Sequence, residues 1–365
     1  MKDLTPSASV VPQEFSLRLE ALRGVAALMV VGHHSFPPPF FAWMHIPFNG
    51  SAAVSLFFVL SGYVLGLSLR RGTGPLVSQY TTFVARRFLR IYPALLVTSF
   101  LFLLYWKVYP FAGIAGQLSY YPELKLSLWR VIKNLTFLEQ SINGVTWSLK
   151  VEMVGSLLLP IFHFLTARWR WPARWAFLVF LFLIAFTPSS TTTRLRIYMF
   201  YLGYMLVSLD QLPRLSAVAY SRLSVICLTV LVGSYFWGAN LRLGLLTEAF
   251  AAAGLILCIQ AGGCSLGGLL DHPWSRFAGR VSFSLFLCHV VFLDVVLNLF
   301  WLSPLKSVGH LVFPWTSLLL SMPIILVASW ALYSWVELPC MKLSKRLLPQ
   351  RDARPTQPIE NRIPS

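Results

Sequence analysis

Charge is what this chain of 365 residues has least of: Asp, Glu, Lys and Arg make up 12% of it, about half the share of an ordinary soluble domain. So few polar groups cannot clothe a soluble surface, which excludes a cytosolic globular enzyme. Apolar residues make up 56%, which excludes a disordered chain. Cysteine is scarce too. Cys227, Cys258, Cys264, Cys288 and Cys340 are odd in number, and no pair has metal-ligand spacing. That argues against a disulfide scaffold and a zinc module, and leaves five reduced, mostly buried thiols. No cleavable leader is expected, because residues 1–14 are polar and the first apolar run, near Ala21, has no small-residue cleavage site after it.

What is abundant is apolar length. Mean hydropathy is +0.67, with 28 Phe and 13 Trp. A membrane-crossing helix needs about 20 apolar residues. The sequence predicts about ten spans, at 20–36, 52–69, 91–109, 146–167, 174–188, 196–209, 222–239, 244–262, 280–302 and 312–335. Alternating ten-residue segments of a membrane barrel are not seen. The expected fold is therefore an all-α, polytopic transmembrane bundle, integral to the plasma or inner membrane. Three parts are expected: a cytoplasmic segment over 1–18, the membrane domain over 19–340 and a polar, disordered cytoplasmic tail over 341–365.

Basic residues exceed acidic ones by 17. Such an excess can serve nucleic acid, but here the basic residues lie between apolar runs, as topology signals and contacts for anionic lipid do. They concentrate on the side of the N-terminus, at Arg70, Arg71, Arg86, Arg87, Arg90 and Lys342 among others. Both termini are thus expected in the cytoplasm, with a long external segment at about 108–145.

Ionisable groups inside spans mark function by default. Arg23 and His34 are eleven residues apart, about three helical turns, so they share a face at ~16 Å separation along the axis. A lone buried His is ordinarily satisfied by a carbonyl; the in-phase Arg turns the reading toward function. Arg87 and Arg90 share a face at i, i+3. Two readings fit them, a topology anchor and a phosphate clamp of paired guanidiniums. Ser61-Gly62 suits close helix packing or a substrate channel. Glu152 stands about two turns into an apolar stretch behind Trp147 and Ser148, where a carboxylate needs a partner from another span. His289 and Asp294 lie inside the ninth span, and a structural and a functional reading fit His289 equally. Glu337, at the end of the last span, reads as structural. A proton-coupled transporter or flippase of a glycan or acyl compound is the alternative function for such buried groups, although no repeat of matched broken helices is seen.

Taken together these segments resemble the membrane acyltransferase-3 family, the integral-membrane O-acyltransferases of surface carbohydrates. The resemblance covers Arg23-x10-His34, Phe57-Phe58-x-x-Ser61-Gly62, Arg87-x-x-Arg90 with Pro93, Trp147-Ser148-Leu149-x-x-Glu152, the run SFSLFLCH ending in His289, and Glu337-x-Pro339. The chain departs from it at Ala53-Val54-Ser55, where the family often has Gly-Val-Asp, and after Glu152, where the family often has a second Glu. The resemblance implies transfer of an acyl group, expected to be acetyl, from cytoplasmic acetyl-CoA or another acyl-CoA to a hydroxyl of a surface or lipid-linked carbohydrate. It implies no permanently bound cofactor and no metal. His34 is expected as base or acyl carrier, with Glu152 orienting its imidazole. Arg87, Arg90 and Arg23 are expected to hold the CoA phosphates, and Ser61, Trp147, Ser148 and His289 to face the substrate. The external segment is expected to set acceptor specificity. Bilayer, acyl-CoA and carbohydrate are the expected partners, and nucleic acid is not.

Overall fold

The computed structural model describes residues 13–36, 48–71, 75–108, 127–187, 191–207, 209, 215–237, 241–302 and 313–348. Among them no strand occurs. The helices are α1 (Gln13–His34), α2 (Gly50–Arg71), α3 (Leu76–Val108), α4 (Leu128–Leu135), α5 (Thr146–Thr166), α6 (Trp171–Ala185), α7 (Ile197–Val207), α8 (Ala217–Gly233), α9 (Leu241–Gln260), α10 (Gly267–Asp271), α11 (Pro273–Leu302), α12 (Phe313–Leu332) and α13 (Leu338–Leu347). Helices dominate because a chain in lipid must satisfy each backbone N–H and C=O within its own segment.

Seven helical segments among the described residues are long and apolar enough to cross a membrane: Gly50–Arg70, Val77–Lys107, Thr146–Thr166, Ala217–Phe236, Arg242–Gln260, Pro273–Leu299 and Pro314–Leu347. The other three predicted spans fall on helices that lack one of those two properties. The first, α1, carries Arg18, Glu20 and Arg23 within its length. α6 has 15 residues and α7 has 11. These two are near-continuously apolar, and α7 is buried along its whole length.

Helix contact rests on glycine. α1 crosses α11 where Gly24 meets Gly279: a Cβ on Gly24 would overlap the Gly279 amide, and one on Gly279 the Glu20 carbonyl. α2 and α7 interlock in the same way, since a Cβ on Gly62 would strike the Phe200 carbonyl and one on Gly203 the Val59 carbonyl. Between helices in lipid there is little hydrophobic drive, so close backbone approach and dispersion supply the contact. For the Ser61-Gly62 step, the close-packing reading is the one the geometry fits.

One irregularity and one docking contact bear on the site. α12 passes into α13 through a π turn, Tyr333–Glu337, the kind of one-turn insertion that re-aims a side chain. It turns Glu337 inward, to 2% exposure. Of the expected external segment, residues 109–126 lie outside the described ones. The rest, α4 and the turns after it, docks on α11 through a hydrogen bond from Asn143 Nδ2 to the Leu287 carbonyl (3.2 Å).

Candidate active site

α1, α3, α5 and α11 bring most of the singled-out residues into two neighbouring groups. The first is ionic. Arg87 donates from Nη2 to Glu152 Oε1 at 3.0 Å and from Nε to Ser156 Oγ at 3.2 Å. Both charged side chains are largely buried, at 10% and 17% exposure. Arg23 lies within electrostatic range of Arg87, Arg90, Glu152 and Glu337. Glu337 accepts from Ser284 Oγ at 2.9 Å. Arg23 thus stands with two further guanidiniums, Arg87 and Arg90, and two carboxylates, Glu152 and Glu337, in range.

The second group is a pair of imidazoles. His34 Nδ1 lies 3.0 Å from the Val30 carbonyl and 3.1 Å from His289 Nε2. His289 Nδ1 lies 2.9 Å from the Phe286 carbonyl. A carbonyl can only accept, so in the neutral rings both Nδ1 atoms carry hydrogen. His289 Nε2 then accepts from His34, and the lone pair of His34 falls on Nε2. This pairing corrects one expectation. Glu152 does not orient His34; its carboxylate is paired to Arg87, and the imidazole of His289 holds the position beside His34. The reason is depth: Glu152 is two turns into α5, level with the arginines, whereas His34 closes α1.

A cavity of about 30 Å³ lies beside the ionic group. Arg23, Glu152, Ser148 and Ser282 supply its polar lining, and Phe57, Phe58, Phe283 and Phe286 its walls. Phe286 divides cavity from imidazoles, with its ring centroid 5.8 Å from that of His289 and 6.0 Å from that of Phe57. Ser61, Trp147, Arg87, His34 and His289 stand outside the lining. Trp147 backs Phe58, with centroids 6.5 Å apart, and Ser148 Oγ donates to the Val145 carbonyl at 2.9 Å. Among the described residues no group of three or more His, Cys, Asp or Glu could hold a metal ion. All five cysteines are free thiols.

The sequence reasoning missed a third buried polar cluster. Glu248 on α9, 3% exposed, accepts from Ser55 Oγ (2.7 Å), Ser51 Oγ (3.0 Å) and Ser234 Oγ (3.1 Å). Arg196, in the 3-10 turn Arg194–Arg196, interacts electrostatically with Glu248. Its guanidinium lies over the Trp147 ring, 4.9 Å from the centroid, within the reach of a cation–π contact. The signal was available, because Glu248 is an ionisable residue inside a predicted span, as Glu152 is. Arg196 instead reads as a loop charge, since it precedes the apolar run. Glu248 also brings a carboxylate to Ser55, one of the positions where this chain departs from the resemblance drawn above.

A family model for an acyltransferase domain, acyltransferase 3, matches residues 16–334. The chain belongs to the acyltransferase-3 family. Within that match lie the imidazole pair, the cavity and every member of the ionic group but Glu337. Acyltransferase MdmB of Streptomyces mycarofaciens is 33% identical to this acyltransferase-3 chain over 168 residues, 41% of this chain and 40% of that protein. The chain therefore matches less than half the length of that relative. No solved structure matches. Family and helices together make this acyltransferase-3 member a multi-pass membrane protein.

Proposed function

We propose that this protein is an O-acyltransferase of the plasma or inner membrane, with about ten spans and both termini in the cytoplasm. It moves an acetyl group from cytoplasmic acetyl-CoA to a hydroxyl of a surface or lipid-linked carbohydrate. One observation carries the reading: an imidazole whose tautomer is fixed stands beyond the wall of a cavity, and the far side of that cavity is lined by guanidinium. An anionic head, an extended arm and a thioester match that layout in order.

In this reading the phosphates of the donor bind Arg87, Arg90 and Arg23 through charge-assisted hydrogen bonds. The arm reaches the mouth of the apolar cavity and brings the thioester carbonyl to Phe286. His34 Nε2 takes the proton of the acceptor hydroxyl as general base. The oxygen attacks the carbonyl carbon, the carbon–sulfur bond breaks, and the thiolate recovers the proton from the imidazolium. His289 Nε2, accepting from His34 Nδ1–H, stabilises that imidazolium while it lasts. Ser148, Trp147 and the external segment serve the acceptor, and Ser61 serves the substrate from the level of Arg23. The acyltransferase name of the Streptomyces relative supports the reaction class.

Mass spectrometry of surface glycans, with and without the gene for this chain, tests the reading. Loss of acetyl increments from one glycan on deletion, restored by the intact gene, is expected. Glycans identical in both strains contradict it.

A further inference from the structure

Where an acyl group would sit is set by the aromatic walls of the cavity, and one of those walls is packed against buried rings. Phe58 is 2% exposed. Its ring stacks on Phe200 with centroids 5.4 Å apart and planes at 29°. Phe200 is itself fully buried and clamped by glycines: a Cβ on Gly155 would lie 2.7 Å from its ring, and one on Gly62 would overlap its carbonyl. The other side of Phe58 meets Trp147 edge-on. Trp147 is covered by the Arg196 guanidinium, which interacts with the Glu248 carboxylate that three serine hydroxyls hold. Behind Phe58 there are thus the packed rings of Phe200 and Trp147, with the Arg196 guanidinium over Trp147 and the Glu248 carboxylate within its electrostatic range.

The opposite wall is Phe286 with Phe57 against it, and Phe286 is the ring that touches His289. A thioester carbonyl that reaches His34 must carry its acyl tail into the space between these walls. The geometry points to Phe58 as the residue that limits the length of that tail, so that the chain takes short acyl groups, acetyl before butyryl and butyryl before hexanoyl. This deepens the acyl-transfer reading and rests on it. Close-packed interiors answer to single methylenes, and in a fitted apolar pocket one methylene changes discrimination by about tenfold or more.

The test is calorimetric binding of CoA, acetyl-CoA, butyryl-CoA and hexanoyl-CoA to the purified full chain in detergent. The intact protein is expected to bind acetyl-CoA at least about tenfold more tightly than hexanoyl-CoA. Phe58→Ala is expected to raise hexanoyl-CoA affinity by about tenfold relative to acetyl-CoA, with CoA measured alongside as the reference. Phe58→Leu, which keeps most of the packing, shifts the preference in the same direction by less. The ruler is overturned if the intact protein binds hexanoyl-CoA as tightly as acetyl-CoA, or if both variants keep the original ranking. If none of the four compounds binds the intact protein, the acyl-CoA reading falls, and the ruler with it.

Discussion

His34 Nδ1 and His289 Nε2 lie 3.1 Å apart, and with each ring's Nδ1 beside a carbonyl, His34 is the donor in the neutral pair. Each ring has its Nδ1 beside a carbonyl of its own helix, Val30 for one and Phe286 for the other. Those two carbonyls order the protons of the whole pair: hydrogen on both Nδ1 atoms, acceptor at His289 Nε2, lone pair at His34 Nε2. Two helices are needed to make the pair, and the Gly24–Gly279 crossing holds them at the required approach. The sharper of the two histidines for proton abstraction is therefore the one on α1.

Replacing His289 separates its two properties. His289→Ala removes the acceptor beside His34 and should lower kcat by about 10- to 100-fold, the worth of a hydrogen bond to a charged group. Acetyl-CoA affinity should not move. His289→Gln keeps an acceptor oxygen and should recover part of the loss. Steady-state kinetics beside calorimetry checks this, and equal losses in kcat and affinity would return His289 to a packing role.

The Arg87–Glu152 pair predicts an asymmetry. Glu152→Ala leaves a buried guanidinium without its carboxylate and should destabilise by about 3–5 kcal/mol. Arg87→Ala together with Arg90→Ala should weaken acetyl-CoA binding by about tenfold or more, as loss of charge-assisted phosphate contacts would. Thermal unfolding in detergent and calorimetry measure the two effects. Arginines that served only as topology anchors would leave the affinity where it was.

Glycine contacts give a prediction with an internal control. Gly62→Ala and Gly203→Ala push a methyl into the backbone of the facing helix and should each cost about 1–3 kcal/mol. Gly144→Ala meets nothing within 4 Å and should be close to neutral by the same thermal measurement.

Outside the spans, Asp271 is held below the usual carboxylate range by its hydrogen bonds from Arg18, at 3.0 and 2.7 Å, with Arg276 adding to them. Its ionised form favours the folded chain. That contribution is complete above the unfolded value of about 3.9 and fades as pH falls through the lower folded value. Asp271→Asn should therefore lower the melting temperature at neutral pH, with the gap to the intact protein closing in strong acid. A gap that stayed constant with pH would contradict the assignment.

Much of the architecture was legible in apolar run length, because lipid forces a simple rule on the backbone. That Glu152 needs a partner from another span was legible as well, since a charge inside a span announces that need. Which partner it takes was not. Helix periodicity gives the face of Arg23 and His34, but not the register of α5 against α3, and that register joins Glu152 to Arg87 rather than to His34. Glu337 was read as an edge residue because its inward turn depends on a π insertion that no spacing in the sequence marks. Glu248 needed only the same rule that found Glu152. Its three serine partners, from α2 and the turn after α8, become visible only when those segments are packed.

The central claim is that His34 is the base. The most direct measurement is acceptor-dependent release of CoA from acetyl-CoA by the purified protein, made beside calorimetric binding of acetyl-CoA, for the intact chain and for His34→Ala. Turnover should fall by about 100-fold or more while the affinity for acetyl-CoA holds. A His34→Ala protein that releases CoA at the intact rate would contradict the account.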